Sequence, residues 1–160
     1  MLSLSSPLTS GGEKPIYLRA DNITVDQRTG QSTYRGNVYL KRGGFSFTAD
    51  TALVKQRNSR IEKLTASGTP IVARKIDPPG NILTTVKGQR LLYLAKSNKV
   101  IMTGNVITRR GSDVIRSAKV TYKIDENTIV AEGLGESARV HALFQVKSLS
   151  PLTPDREKSN

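Results

Sequence analysis

The sequence predicts an all-β fold in which one antiparallel sheet is built from stacked repeats and folds back over itself. Three observations carry this. The chain matches itself at an offset of 68: Tyr34-Arg35-Gly36-Asn37-Val38 falls on Met102-Thr103-Gly104-Asn105-Val106, and Lys41-Arg42-Gly43 on Arg109-Arg110-Gly111. Apolar residues recur at every second position, with Thr, Lys, Arg and Ser mostly between them, the period of a strand with one buried face. No segment carries apolar residues at helical spacing over three turns.

The same register aligns the flanking segments. Ala20–Val25 (ADNITV) falls on Gly88–Tyr93 (GQRLLY), and Ala49–Val54 (ADTALV) on Ser117–Tyr122 (SAKVTY). This is an internal duplication. Each half divides again into units that open on small-x-x-apolar-x-apolar, at Ala20, Ala49, Gly88 and Ser117. The units close on Gly36, Gly68, Gly104 and Gly133, after 16, 19, 16 and 16 residues. Four strand–turn–strand modules describe the chain.

Taken in order, the first strand follows Pro15 and points Ile16 and Leu18 to one side. The modules then alternate Ile23/Val25, Leu64/Ala66, Tyr93/Ala95, Val100/Met102 and Val120/Tyr122. DQRTGQ, KQRNSR, DPPGN, AKSNK and KIDEN supply the turns. Ala49–Lys55 admits a short helix, but its Thr and Val content and its repeat partners predict strand. A glycine closing every module permits a bend or bulge there. A sheet folding over itself as a sandwich, jelly roll or roll-like solenoid needs that bend; a flat one does not. Beyond Gly133, Val140, Leu143 and Val146 fit a last bulged strand or a cap. The expected organisation is a flexible segment 1–14, a single domain 15–147 and a disordered polar tail 148–160. Neither end of the stack looks closed, so its edge strands are open to β-augmentation.

The predicted inner row is medium-sized: Ile16, Leu18, Ile23, Val25, Val38, Leu40, Phe45, Phe47, Val54, Ile71, Ala73, Tyr93 and Val106. Two sheets about 10 Å apart fill such a core completely. If they splay, the same row lines a groove suited to alkyl chains.

With 160 residues the chain forms one domain or two small ones. Apolar residues make up 36% and aromatics 5%, which suits thin-walled β structure with a wet face. The formal charge of +12 attracts polyanions such as nucleic acid, anionic membrane or phosphorylated glycolipid. The chain has no cysteine, which excludes disulfides and thiolate metal sites. No apolar run approaches the roughly 18 residues of a membrane span. MLSLSSPLTSGG lacks the basic and continuous apolar regions of an intact signal peptide.

Chemistry finds no purchase. His141 is the one histidine and has no placed partner. Asp21 and Asp50 recur after a small residue, but Gln89 and Ala118 replace them in the other modules, so hydrogen bonding to corner amides is expected of them. No phosphate-loop or dinucleotide-binding glycine pattern occurs. Catalytic residues, cofactor and metal are therefore none. The pairs Lys41-Arg42 and Arg109-Arg110 fall at equivalent hairpin ends, where they are either solvated turns or phosphate contacts.

The order PIYLRADNITVD, YRGNVYLKRGGFSFTAD, SGTP and MTGNV, in one collinear register from Pro15 to Gly133, resembles the LptA/OstA-like family of lipopolysaccharide transport proteins. The resemblance implies an OstA-like β-jelly roll of stacked antiparallel strands, open at both ends. It implies a periplasmic, non-catalytic bridge that shields lipopolysaccharide acyl chains in a hydrophobic groove. Its implied partners are lipopolysaccharide, an inner-membrane LptC-like and an outer-membrane LptD-like component, and further copies joined head to tail. Carried over by position, the lipid-facing N-terminal strand falls on Ile16 and Leu18. An interior tyrosine falls on Tyr93, with Leu91 and Ala95 beside it, and a position that is larger in some relatives falls on Ala73. Two rival functions stand beside this one: a basic β-module binding nucleic acid, and a purely structural stacking protein. Nucleic acid is not expected, for single-strand binders need exposed stacking platforms and several of the eight aromatics point inward by parity.

Overall fold

In the computed structural model residues 15–77, 81–133 and 139–144 are described; the expected flexible segment 1–14, the tail 148–160 and Val146 lie outside them. Among the described residues ten strands form one sheet: β1 Tyr17–Arg19, β2 Asn22–Asp26, β3 Gln31–Arg42, β4 Phe45–Arg57, β5 Arg60–Asp77, β6 Ile82–Leu94, β7 Lys99–Arg110, β8 Asp113–Lys123, β9 Thr128–Glu132 and β10 His141–Leu143. β3 to β8 pair antiparallel in chain order. β1 and β2 share the free side of β3, and β9 and β10 the free side of β8. The all-β class and the stacked, open-ended arrangement are as expected.

The duplication is visible in the strand limits. β3 and β7 match at both ends at an offset of 68, and β4 and β5 begin 68 residues before β8 and β9. Every long strand is also broken at one level. Register shifts fall between Arg35 and Val38, Thr48 and Thr51, Ser67 and Ile71, Lys87 and Arg90, and Thr103 and Val106. Such irregularities bend a strand, and aligned across the sheet they crease it into two walls. At the crease Gly36 and Asn37 have φ +81° and +49° in the original. Their repeat partners Gly104 and Asn105 have +92° and +47°. That left-handed region costs other side chains about 1–2 kcal/mol but suits Gly and Asn.

Asp50 accepts hydrogen bonds from the Thr69 backbone N–H (3.2 Å) and hydroxyl, as expected of a corner carboxylate. Asp21 accepts instead from the Asn37 side-chain amide at 2.8 Å, while its own N–H donates to Gly36 O.

The first wall runs from the crease to hairpin tips such as Gly43-Gly44 and Gly111-Ser112; the second runs from the crease to the opposite tips. On the first wall the inward row is Leu18, Leu40, Phe47, Ala73, Val86, Thr108 and Ile115. On the second, the rows Tyr34–Ala52–Ala66–Leu91–Met102–Val120 and Ser32–Val54–Leu64–Tyr93–Val100–Tyr122 face it. Phe47, Leu64, Ile71, Val38, Val54 and Val106 are the largest fully buried side chains, each stabilising the fold by roughly 1.5–3 kcal/mol.

Candidate functional site

Near the crease the walls close on each other, and towards the tips they part. The parted region holds a cavity of ≈ 400 Å³. Ile16, Leu40, Phe45 and Phe47 line it from the first wall, and Ile61, Leu64, Leu91, Tyr93, Val100 and Tyr122 from the second. Phe45 and Phe47 meet edge to face, with ring centres 6.4 Å apart. Deeper into the repeat lies a pocket of ≈ 40 Å³ that shares Phe45, Lys75, Leu91, Val100 and Tyr122 with the cavity and adds Ala73, Val86 and Met102. The larger space reaches Ile16 and Leu40 beside β1, and the smaller one Val120 and Ile129 on β8 and β9, with Tyr122 common to both.

The mouth is charged. Across the tips of the first wall runs the row Arg42–Phe45–Lys75–Thr84–Arg110–Asp113, and Arg42, Lys75 and Asp77 line the cavity. Lys75 forms an ion pair with Asp77. Its ammonium also lies 5.3 Å from the ring centre of Tyr122 on the opposite wall, within cation–π range. This contact spans the gap between the walls, where the cavity meets the narrow pocket. Burial, with Arg110 as the smaller cause, pulls the Lys75 pKa below its ordinary value, and burial pushes the Tyr122 phenol up. Among the described residues no His, Cys, Asp or Glu cluster suits a metal, and His141 is exposed on β10 opposite Arg116.

Of the residues expected to line the interior, Ile16, Leu40, Phe45, Phe47, Leu91 and Tyr93 line the cavity and Ala73 the narrow pocket. Leu18, Val38, Val54, Ile71 and Val106 are sealed in the packed core, and Ile23 packs against it. The inner row thus divides between residues packed in the core and residues that line open space. Two expectations need correction. Val25 shares the inward row of Ser32 and Val54 but is 55% exposed, because edge strand β2 has no neighbour beyond it. Ala95 lies in the turn after β6, where its N–H donates to Glu62 O, and does not line the cavity.

The basic pairs do not act as units either, since adjacent strand residues face opposite ways. Lys41 is exposed outward in the row of Tyr17 and Ser46, while Arg42 turns to the cavity. Arg109 and Arg110 also face opposite ways, but both are exposed, and Arg110 shares the row of Lys75 with Thr84 between them without lining the cavity. Sequence reasoning missed Lys75, Ile61 and Asn98. Leu64, Val100 and Tyr122 were legible, for each stands at inward parity.

The family model described as "LptA/(LptD N-terminal domain) LPS transport protein" matches residues 17–128. The Lipopolysaccharide export system protein LptH of Pseudomonas aeruginosa is 26% identical over 130 residues, covering 81% of this chain and 74% of that protein. The Lipopolysaccharide export system protein LptA of Escherichia coli K12 is 25% identical over 169 aligned positions, covering 100% and 91%. The crystal structure of LptH, described as the LptA homologous periplasmic component of the lipopolysaccharide transport device of P. aeruginosa, superposes with a TM-score of 0.73 at 22% identity. It covers 82% of this chain and 96% of that one.

Proposed function

Because the chain belongs to the family of LptA and LptD N-terminal-domain LPS transport proteins, we propose that it is a non-catalytic periplasmic carrier of lipopolysaccharide. In this reading the acyl chains lie between the walls, in the cavity lined by Ile16, Leu40, Phe47, Leu91, Tyr93 and Val100. Each methylene removed from water there contributes about 0.8 kcal/mol. The carrying observation is the asymmetry of that cavity: an apolar floor beneath a charged mouth lined by Arg42, Lys75 and Asp77, with Arg110 farther along the same row. An amphiphile with oily tails and phosphorylated sugars has the same polarity. Lys41 and Arg109, facing outward, are assigned no phosphate contact.

The open backbones of β1 and β2 at one end, and of β9 and β10 at the other, suit strand addition. We assign these edges to head-to-tail contacts with further copies and with LptC-like and LptD-like components, along which the lipid passes from inner to outer membrane. Against the nucleic-acid alternative, Tyr34, Phe45, Phe47, Tyr93 and Tyr122 all sit on inward rows. Of the outward rings, Tyr39 is already covered by Arg19 at 4.9 Å.

The test is to narrow the cavity. Val100→Trp places a larger side chain at a half-buried lining position. Binding of lipopolysaccharide by the purified chain is expected to fall roughly tenfold, two lost methylene contacts' worth, with the far-UV circular dichroism unchanged. Unaltered affinity in a folded variant would remove the cavity from the account.

A further inference from the structure

The outward side of the second wall carries a second concavity, of ≈ 760 Å³, spanning β3 to β7 on the far side of the sheet from the lipid cavity. Its floor is the cross-strand row Thr33–Leu53–Thr65–Leu92–Ile101. Leu53 is 40% exposed there. Arg35, Lys63 and Arg90 stand around it, and no carboxylate lines it. None of these three cations forms an ion pair among the described residues. Lys63 stands directly opposite Lys55 on the neighbouring strand, and like charges facing each other across a ladder destabilise it. The wall therefore carries Leu53, Leu92 and Ile101 interspersed with Thr33 and Thr65, flanked by cations that form no ion pair among the described residues.

The flanking rows fix the shape of what fits. Lys55, Lys63 and Lys99 run along the tip side of the floor, and Arg35 and Arg90 along the crease side, a row that continues beyond the groove to Lys119 opposite Glu132. The two rows are four residues apart along each strand, about 13 Å at ~3.4 Å per residue. An α-helix with its side chains is about 10–12 Å across. From β3 to β7 the groove runs about 19 Å at ~4.8 Å per strand, or roughly 13 residues of helix at 1.5 Å each.

We propose that this groove docks an acidic amphipathic helix of another protein. Its apolar stripe would rest on Leu53, Leu92 and Ile101, with carboxylates on both flanks reaching Arg35 and Arg90 on one side and Lys63 on the other. Two other anionic partners fit less well. A bilayer surface does not enter a concave groove, and a nucleic acid would find no ring to stack on, since no Tyr, Phe or His lines the site.

The experiment is fluorescence anisotropy with the full chain and an 18-residue synthetic helix bearing one leucine stripe flanked by glutamates. Arg35→Gln/Lys63→Gln/Arg90→Gln is expected to weaken binding by roughly tenfold, the sum of three exposed ion pairs. Arg74→Gln/Lys87→Gln/Arg116→Gln removes the same charge from exposed positions of the first wall and is expected to leave affinity within about twofold. Equal weakening by both triples, or equal binding of a scrambled peptide without the stripe, overturns the proposal in favour of general charge attraction. Phosphatidylglycerol vesicles that bind through the first triple while the peptide does not would assign the groove to lipid instead. Lipopolysaccharide binding is measured in parallel on every variant, so failure here leaves the inner cavity's role untouched.

Discussion

Gly36 and Gly104 show how much of the fold rests on single atoms. A Cβ on Gly36 would stand 2.7 Å from the Asp21 carboxylate, and one on Gly104 equally close to the Gln89 amide oxygen. With φ of +81° and +92° besides, Gly36→Ala and Gly104→Ala are each expected to cost about 1–2 kcal/mol in urea unfolding. A cost near zero would mean that the crease does not depend on these conformations. Lys75 makes a different prediction. Lys75→Met removes the cation from the cavity mouth, so affinity for phosphorylated lipopolysaccharide should fall roughly tenfold. Affinity for the dephosphorylated lipid should hold, and an equal loss for both would make Lys75 a packing residue. The glycines were legible because they recur at the offset of the repeat. Lys75 was not, for its residue type gives no sign of burial and only strand register puts it between Phe45 and Thr84.

Each module read from the sequence is one hairpin of the second wall. Its small residue and its glycine are two successive crossings of the crease: Ala20 to Gly36 holds β2 and the start of β3, and Gly88 to Gly104 holds the end of β6 and the start of β7. The longer module, Ala49 to Gly68, holds an additional register shift between Lys55 and Gln56. The first wall escaped the module description because its hairpins connect modules instead of lying within them. Edges were the least legible elements, because parity gives the facing of a residue but not whether anything covers it. Leu18 and Val25 separate the two cases. Leu18 is 3% exposed on three-residue β1, and Val25 is 55% exposed on β2. Leu18→Ala is expected to cost about 2–5 kcal/mol in chemical denaturation, and Val25→Ala under about 0.5 kcal/mol. Equal costs would place β1 off the sheet.

As a whole the molecule is a creased sheet whose packing changes from crease to tips. At the crease Val38 and Ile71 are fully buried; at the tips the walls part over Tyr93, Val100 and Tyr122. The fold class and the repeat follow from period and duplication, which are properties of a sequence read alone. The gap between the walls does not, since it depends on how steeply each strand bends and no residue type encodes that angle. The most direct measurement is photo-crosslinking in cells from Tyr93 and Val100, with Thr24, exposed on β2, as the outward control. Lipopolysaccharide adducts at the two cavity positions and none at Thr24 are the expected result. Adducts at all three, or at Thr24 alone, would contradict a carrier that holds its lipid between the walls.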